Sequence, residues 1–284
     1  PANALSPPLA RGARILQVDG VDLVNDNTQA GVDALNAGLY PASAGETHRF
    51  VVQDLGALGT RTITMVSTDV TSAPVQNVST LAGGAVGYML FNDHLATAES
   101  ALINAIASLK AAGVSDLVID MRYNGGGYLA IASELAYMVA GPAQTNGKTF
   151  ELTRFNAKHP TIDPVSHAPI APTPFYSTAI GFSTTPAGTA LPHLDLAKVY
   201  VLTGRDTCSA SEAVINGLRG AGVQVVQIGS TTCGKPYGFY PQDNCGTTYF
   251  SIQFQGVNAV GFGDYSDGFA PQNGSTAGLA SSAV

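Results

Sequence analysis

From residue 85 onward the chain alternates short apolar runs with longer amphipathic ones, and that alternation leaves few folds open to it. "AVGYMLFN" and "SDLVIDMR" have the composition of buried strands. Between them, "TAESALINAIASLKAAG" places Leu102, Ile103, Ile106 and Leu109 on one helical face. "YLAIASELAYMVAG" is apolar almost all round and predicts a deeply packed helix. "AKVYVLTG", "SASEAVINGLRGAG" and "VQVVQIG" repeat the strand–helix–strand order, and "TTYFSIQFQGVNAVGFG" predicts a closing hairpin. Such alternation belongs to an α/β core around a largely parallel sheet.

The first 70 residues follow a different pattern and predict a smaller module. "ARILQVDGVDLV" gives two strands about the turn Asp19-Gly20, and "NTQAGVDALNAGL" gives a helix capped by Asn27 or Thr28 and ending at Gly38. "HRFVVQDLGALGTRTITMVS" gives two further strands around a glycine loop. Residues 71–83 lack periodicity and are expected to be a linker to a catalytic domain over 84–284. Residues 156–195, rich in Pro, Thr, Ser and His, predict a long mobile loop or lid, and the tail "NGSTAGLASSAV" predicts poor order.

Charge narrows the partners. Only 12% of residues are charged and the net charge is −7, with no basic cluster to replace phosphate counterions, which argues against nucleic acid as a partner. No apolar run is long enough for a membrane span. The chain opens "PANALSPPLARG" without Met, as a mature or trimmed product does. The histidines (His48, His94, His159, His167, His193) and cysteines (Cys208, Cys233, Cys245) have no metal-ligand spacing.

Three stretches fall at the C-terminal ends of predicted strands, where α/β folds place their sites. "DMRYNGGGY" supplies glycines whose N–H groups suit an anion nest, a phosphate site or simply a tight turn. "DTCSASEAVINGL" puts Ser209 and Ser211 at a helix start, with Glu212 at the spacing of a capping box. "GSTTCGKPYG" puts Lys235 in a loop after the next strand. Singly, each has a plain structural explanation. Together they supply a hydroxyl nucleophile, an amine that burial would keep neutral to act as base, and N–H donors for an oxyanion. A Ser-His-Asp triad is the rival, with no GxSxG elbow and no histidine near these motifs in sequence.

The ordered set "DLVIDMRYNGGG", "TCSASEAVINGL" and "GSTTCGKPYG" resembles the C-terminal processing, or tail-specific, Ser–Lys serine peptidases over roughly residues 84–268. The resemblance implies a crotonase/ClpP-like core of mixed sheet and helix, a protein or peptide substrate and no cofactor. It implies Ser209 rather than Ser211 as nucleophile, Lys235 as general base, and Glu212 orienting Lys235 through a charge-assisted hydrogen bond. The oxyanion donors would be the N–H groups of Ala210 and of Gly126 in preference to Gly127. Family members often carry Pro where Gly125 stands. Residues 1–70 resemble the latter part of a PDZ domain, whose first strand and carboxylate loop would precede residue 1. Two other functions compete: an inactive peptide- or ligand-binding protein on the same scaffold, and a small-molecule esterase or amidase using the same dyad.

The cysteines suggest one disulfide and one free thiol, as an exported chain would carry, secreted or periplasmic with room for a lipid anchor ahead of residue 1. The expected pair is Cys233 with Cys245, closing the loop "GKPYGFYPQDN" around Lys235. Cys208 is expected free, because a bridge there would constrain the turn at the nucleophile.

Overall fold

The computed structural model describes residues 5–10 and 12–271, and they divide into two compact units, one up to Thr71 and one from Ser72. The tail 273–284, expected to be poorly ordered, lies outside the described residues. In the first unit, β1 (Arg14–Val18) and β2 (Val21–Asp22) form a hairpin, followed by α1 (Gln29–Leu39), β3 (Thr47–Gln53) and β4 (Arg61–Val66). Thr28 caps α1, its hydroxyl accepting the Gly31 N–H at 3.1 Å. The strands pair antiparallel in the order β2-β1-β3-β4. Val18, Leu35, Phe50, Val52 and Ile63 form a core of their own.

The second unit opens with β5 (Val75–Leu81) and β6 (Val86–Phe91), then α2 (Ala98–Ala111), β7 (Asp116–Asp120), α3 (Leu129–Thr145) and β8 (Thr149–Arg154). β9 (Thr173–Pro174), β10 (Lys198–Thr203), α4 (Ala210–Gly220) and β11 (Gln224–Gly229) follow. β12 (Tyr237–Gly238), β13 (Gln242–Asn244), β14 (Thr247–Tyr249) and β15 (Phe254–Val257) complete it. The main sheet runs β11-β10-β7-β6-β5, parallel except for antiparallel β5, so it is mixed as a ClpP-like core requires. Leu102, Ile106 and Leu109 of α2 are buried as their spacing predicts, and α3 is buried on nearly every turn.

Three expectations fail here. Residues 71–83 are not simply a linker, because residues 75–81 pair with β6 as the edge strand β5. The stretch "TTYFSIQFQGVNAVGFG" is not a hairpin. Its first residues form β14, which pairs back onto β13, whereas β15 joins β8 and β12 in a second antiparallel sheet, β12-β15-β8-β9. The segment 156–195 is anchored over its second half rather than loose. Phe175, Ala179 and Leu191 enter the core, and Leu194 N–H binds Met138 O at 2.9 Å.

Two buried carboxyls explain that anchoring. Glu99 of α2 accepts N–H bonds from Gly181 (2.8 Å) and Ser183 (2.9 Å). Glu134 of α3 accepts the Ile180 N–H at 2.9 Å. Burial and the neighbouring Glu99 charge push Glu134 up to about 8, so it keeps its proton at neutrality while Glu99 carries the negative charge.

Candidate active site

Parallel pairing carries β10 and β11 to a common end, with Thr203 opposite Gly229. The loops that leave them therefore start side by side. One leads to Ser209 at the head of α4, the other to Lys235. β7 pairs with β10 on its other side and ends in the glycine turn. Asp120, fully buried at that strand end, holds the turn by accepting two bonds from the Arg122 guanidinium (2.9 and 2.7 Å) and one from Tyr88 Oη (2.9 Å). All three sequence motifs meet at one end of the sheet.

Ser209 is half-buried, with φ 57° and ψ −117°, in the left-handed half of backbone space that non-glycine residues avoid. Its N–H donates to Glu212 Oε2 at 3.0 Å. Gly126 packs against it so closely that a Cβ there would fall 2.8 Å from both Cys208 O and Ser209 Cβ. Gly126 has φ 101° and Gly127 φ 133°, and both contacts and angles demand glycine. Ser211, by contrast, is fully buried and donates its hydroxyl to Asn124 O at 3.0 Å, away from any nucleophilic task.

Asn124, which the sequence presented only as a turn residue, ties the site together. Its Nδ2 donates to Phe91 O (3.0 Å), and its Oδ1 accepts the Gly126 N–H (3.0 Å). Its carbonyl accepts the Cys208 N–H (3.1 Å) as well as the Ser211 hydroxyl. Gly126 and Gly127, the two glycines expected as alternatives for one oxyanion donor, differ here. The Gly126 N–H is already committed to Asn124, whereas Gly127 is exposed and lines the cavity beside Ser209 and Ala210. Ala210, the first residue of α4, lines the same cavity, and its N–H has no preceding helical carbonyl to bond.

His94 lies closer in space than the sequence suggested. It pairs with the glycine turn through backbone bonds to Gly126 O (3.0 Å) and from Tyr128 N (2.9 Å), and its Nδ1 meets Asn124 Oδ1 at 3.0 Å. Burial pulls its imidazole down to about 4, and it does not line the cavity of Ser209. It braces the turn as a neutral ring.

Glu212 does not do what was expected of it. The carboxylate is fully buried and accepts the backbone N–H of Gly234 and of Lys235, each at 2.8 Å, and the Thr232 hydroxyl at 2.6 Å. It positions Lys235 through the main chain, not through the amine. The chain near its C-terminus clamps the same loop, with Phe269 N–H donating to Thr232 Oγ1 at 2.7 Å. Lys235 itself is exposed rather than buried, its Nζ 5.7 Å from the centre of the Phe239 ring, and it lines the same cavity of about 310 Å³ as Ser209.

The disulfide joins Cys208 to Cys233, and Cys245 is free and exposed, so the expected Cys233–Cys245 pair is wrong. The parallel register places the two loops together, with the Cys233 N–H on Thr207 O at 3.0 Å, whereas Cys245 turns away between β13 and β14. The bridge links the segment before Ser209 to the segment before Lys235. It also ties up the sulfurs of the one grouping of ligand type among the described residues, Cys208, Glu212 and Cys233. Thiol counting in denaturant without reductant should find a single free thiol, mapping to Cys245. Removing both bridged cysteines should cost roughly 3.5 kcal/mol of stability by loop-closure entropy. Three free thiols in the oxidised chain would exclude the bridge.

A half-buried serine at a strained helix start, opening on a cavity, is an arrangement that nucleophilic hydrolases use. The chain belongs to peptidase family S41, which it matches over residues 85–238. Its fold is similar to that of a Bacteroides fragilis protein designated an S41 protease, with TM-score 0.64 and 25% identity over 92% of this chain and 65% of that one. It is also similar to the photosystem II D1 C-terminal processing protease, with TM-score 0.51 and 22% identity over 92% of this chain and 62% of that one. The chain thus spans somewhat less than two thirds of the length of either. No curated protein sequence matches it.

Proposed function

We propose that this chain is a serine endopeptidase working through a Ser209–Lys235 dyad on unfolded or C-terminally exposed protein segments. The observation that carries the reading is the shared cavity, which sets Ser209 at the head of α4 and Lys235 on one space beside the Gly127 turn. In this scheme Ser209 Oγ attacks the peptide carbonyl carbon and gives its proton to the neutral Lys235 amine. The oxyanion is held by the N–H groups of Ala210 and Gly127. Collapse expels the new amine, which takes the proton back from Lys235, and water then cleaves the acyl-serine by the same steps reversed.

The PDZ-like character of residues 1–70 would supply peptide capture by strand addition. The Cys208–Cys233 bridge supports action in an oxidising compartment outside the cytosol. The test is a fluorophosphonate label with casein and a nitrophenyl ester as substrates. Labelling mapped to Ser209, with casein cleaved, is the expected result. No label at Ser209 would leave a binding protein, and ester hydrolysis without casein cleavage would leave an esterase.

A further inference from the structure

The cavity of Ser209 holds one acidic side chain that this reaction does not use. Glu151 projects from β8 into it, half-buried, with no hydrogen bond or ion pair among the described residues. Gly256 on the neighbouring strand β15 makes room for it, since a Cβ there would fall 2.4 Å from the Glu151 carboxyl carbon. Leu129, Tyr237, Phe254 and Tyr265 furnish apolar and aromatic wall to the same cavity. We propose that Glu151 selects substrates carrying a lysine or arginine side chain next to the scissile bond.

The chemistry of the cavity matches that side chain along its length. The methylenes of a long basic residue lie well on apolar wall, and its cation gains from aromatic faces and from a carboxylate. A partly buried carboxylate without a partner is costly, and desolvation pushes Glu151 up to about 7. An arriving cation would supply the missing partner and favour the ionised form. The other titratable groups facing this space are Tyr237, Tyr265 and Lys235, with Glu212 of α4 acting on Tyr265. The preference therefore strengthens as pH rises through about 7.

This inference deepens the peptidase reading, and its test separates the two. Paired peptides differing only in arginine against norleucine at each side of the cleaved bond are compared on the full chain. The kcat/KM ratio should favour arginine about tenfold or more above neutrality and shrink as pH falls through about 7. Glu151→Gln should reduce that ratio about tenfold and flatten its pH dependence. The same peptides are then titrated by fluorescence polarisation against the Ser209→Ala chain, with and without Glu151→Gln. An arginine preference in binding that Glu151→Gln abolishes supports the inference even where no peptide is cleaved, an outcome that would sink only the peptidase reading. Equal affinities and rates for both peptides would overturn it. So would a Glu151→Gln chain that weakens both peptides by the same factor.

Discussion

A Ser209→Ala chain should fold normally and hydrolyse nothing measurable, with kcat down by about 10⁴-fold or more, as when the nucleophile of a serine hydrolase is removed. The fold should survive because the Glu212 carboxylate holds the main-chain N–H of residue 209, and alanine keeps it. Ser211→Ala is the informative companion. Its hydroxyl serves Asn124 O in a fully buried setting, so its loss should cost about 1–2 kcal/mol of stability. Its activity should fall far less than that of Ser209→Ala. Steady-state rates with circular dichroism on both variants decide the matter. Activity that survives Ser209→Ala but not Ser211→Ala would transfer the nucleophile's role two residues along.

Lys235→Arg should be nearly as damaging, about 10³-fold, although it preserves the charge of the protonated form. A guanidinium cannot shed its proton at any working pH and so cannot accept one from Ser209. The substitution should leave the loop in place, because Glu212 holds residues 234 and 235 by their N–H groups and never touches the amine. Near-normal turnover in Lys235→Arg would remove Lys235 from the chemistry.

What could be read from the sequence was what local pattern encodes. Strands buried on both faces are continuous apolar runs, and α2 and α3 carry their burial in their spacing, so the parallel core was legible. β5 was not. Its stretch "VQNVSTL" is an edge strand almost wholly exposed, with no apolar alternation to mark it. The order of Ser209, Glu212 and Lys235 was legible as motif, but their contacts were not, because those depend on which atoms of the loop at Lys235 reach the Glu212 carboxylate. The cysteine pairing failed for a related reason. Nearness along the chain favoured Cys245, whereas the parallel register of β10 and β11 brings together residues 25 apart. Asn124 gave no signal, since an asparagine before glycines is ordinary turn chemistry.

The backbone of Ser209 has a price set by thermodynamics rather than by chemistry. A non-glycine residue held at φ 57° forfeits about 1–3 kcal/mol relative to relaxed geometry. Glycine at this position would recover most of it, so the fold on its own account would rather not have a serine here. Natural chains sit only a few kcal/mol above their stability threshold, and this position draws on that margin continuously. In the proposed peptidase, hydrolytic power and thermal endurance thus pull against each other at a single residue. A lineage relieved of the need to cut could gain robustness by one replacement, and an engineer seeking heat tolerance must find it everywhere except there.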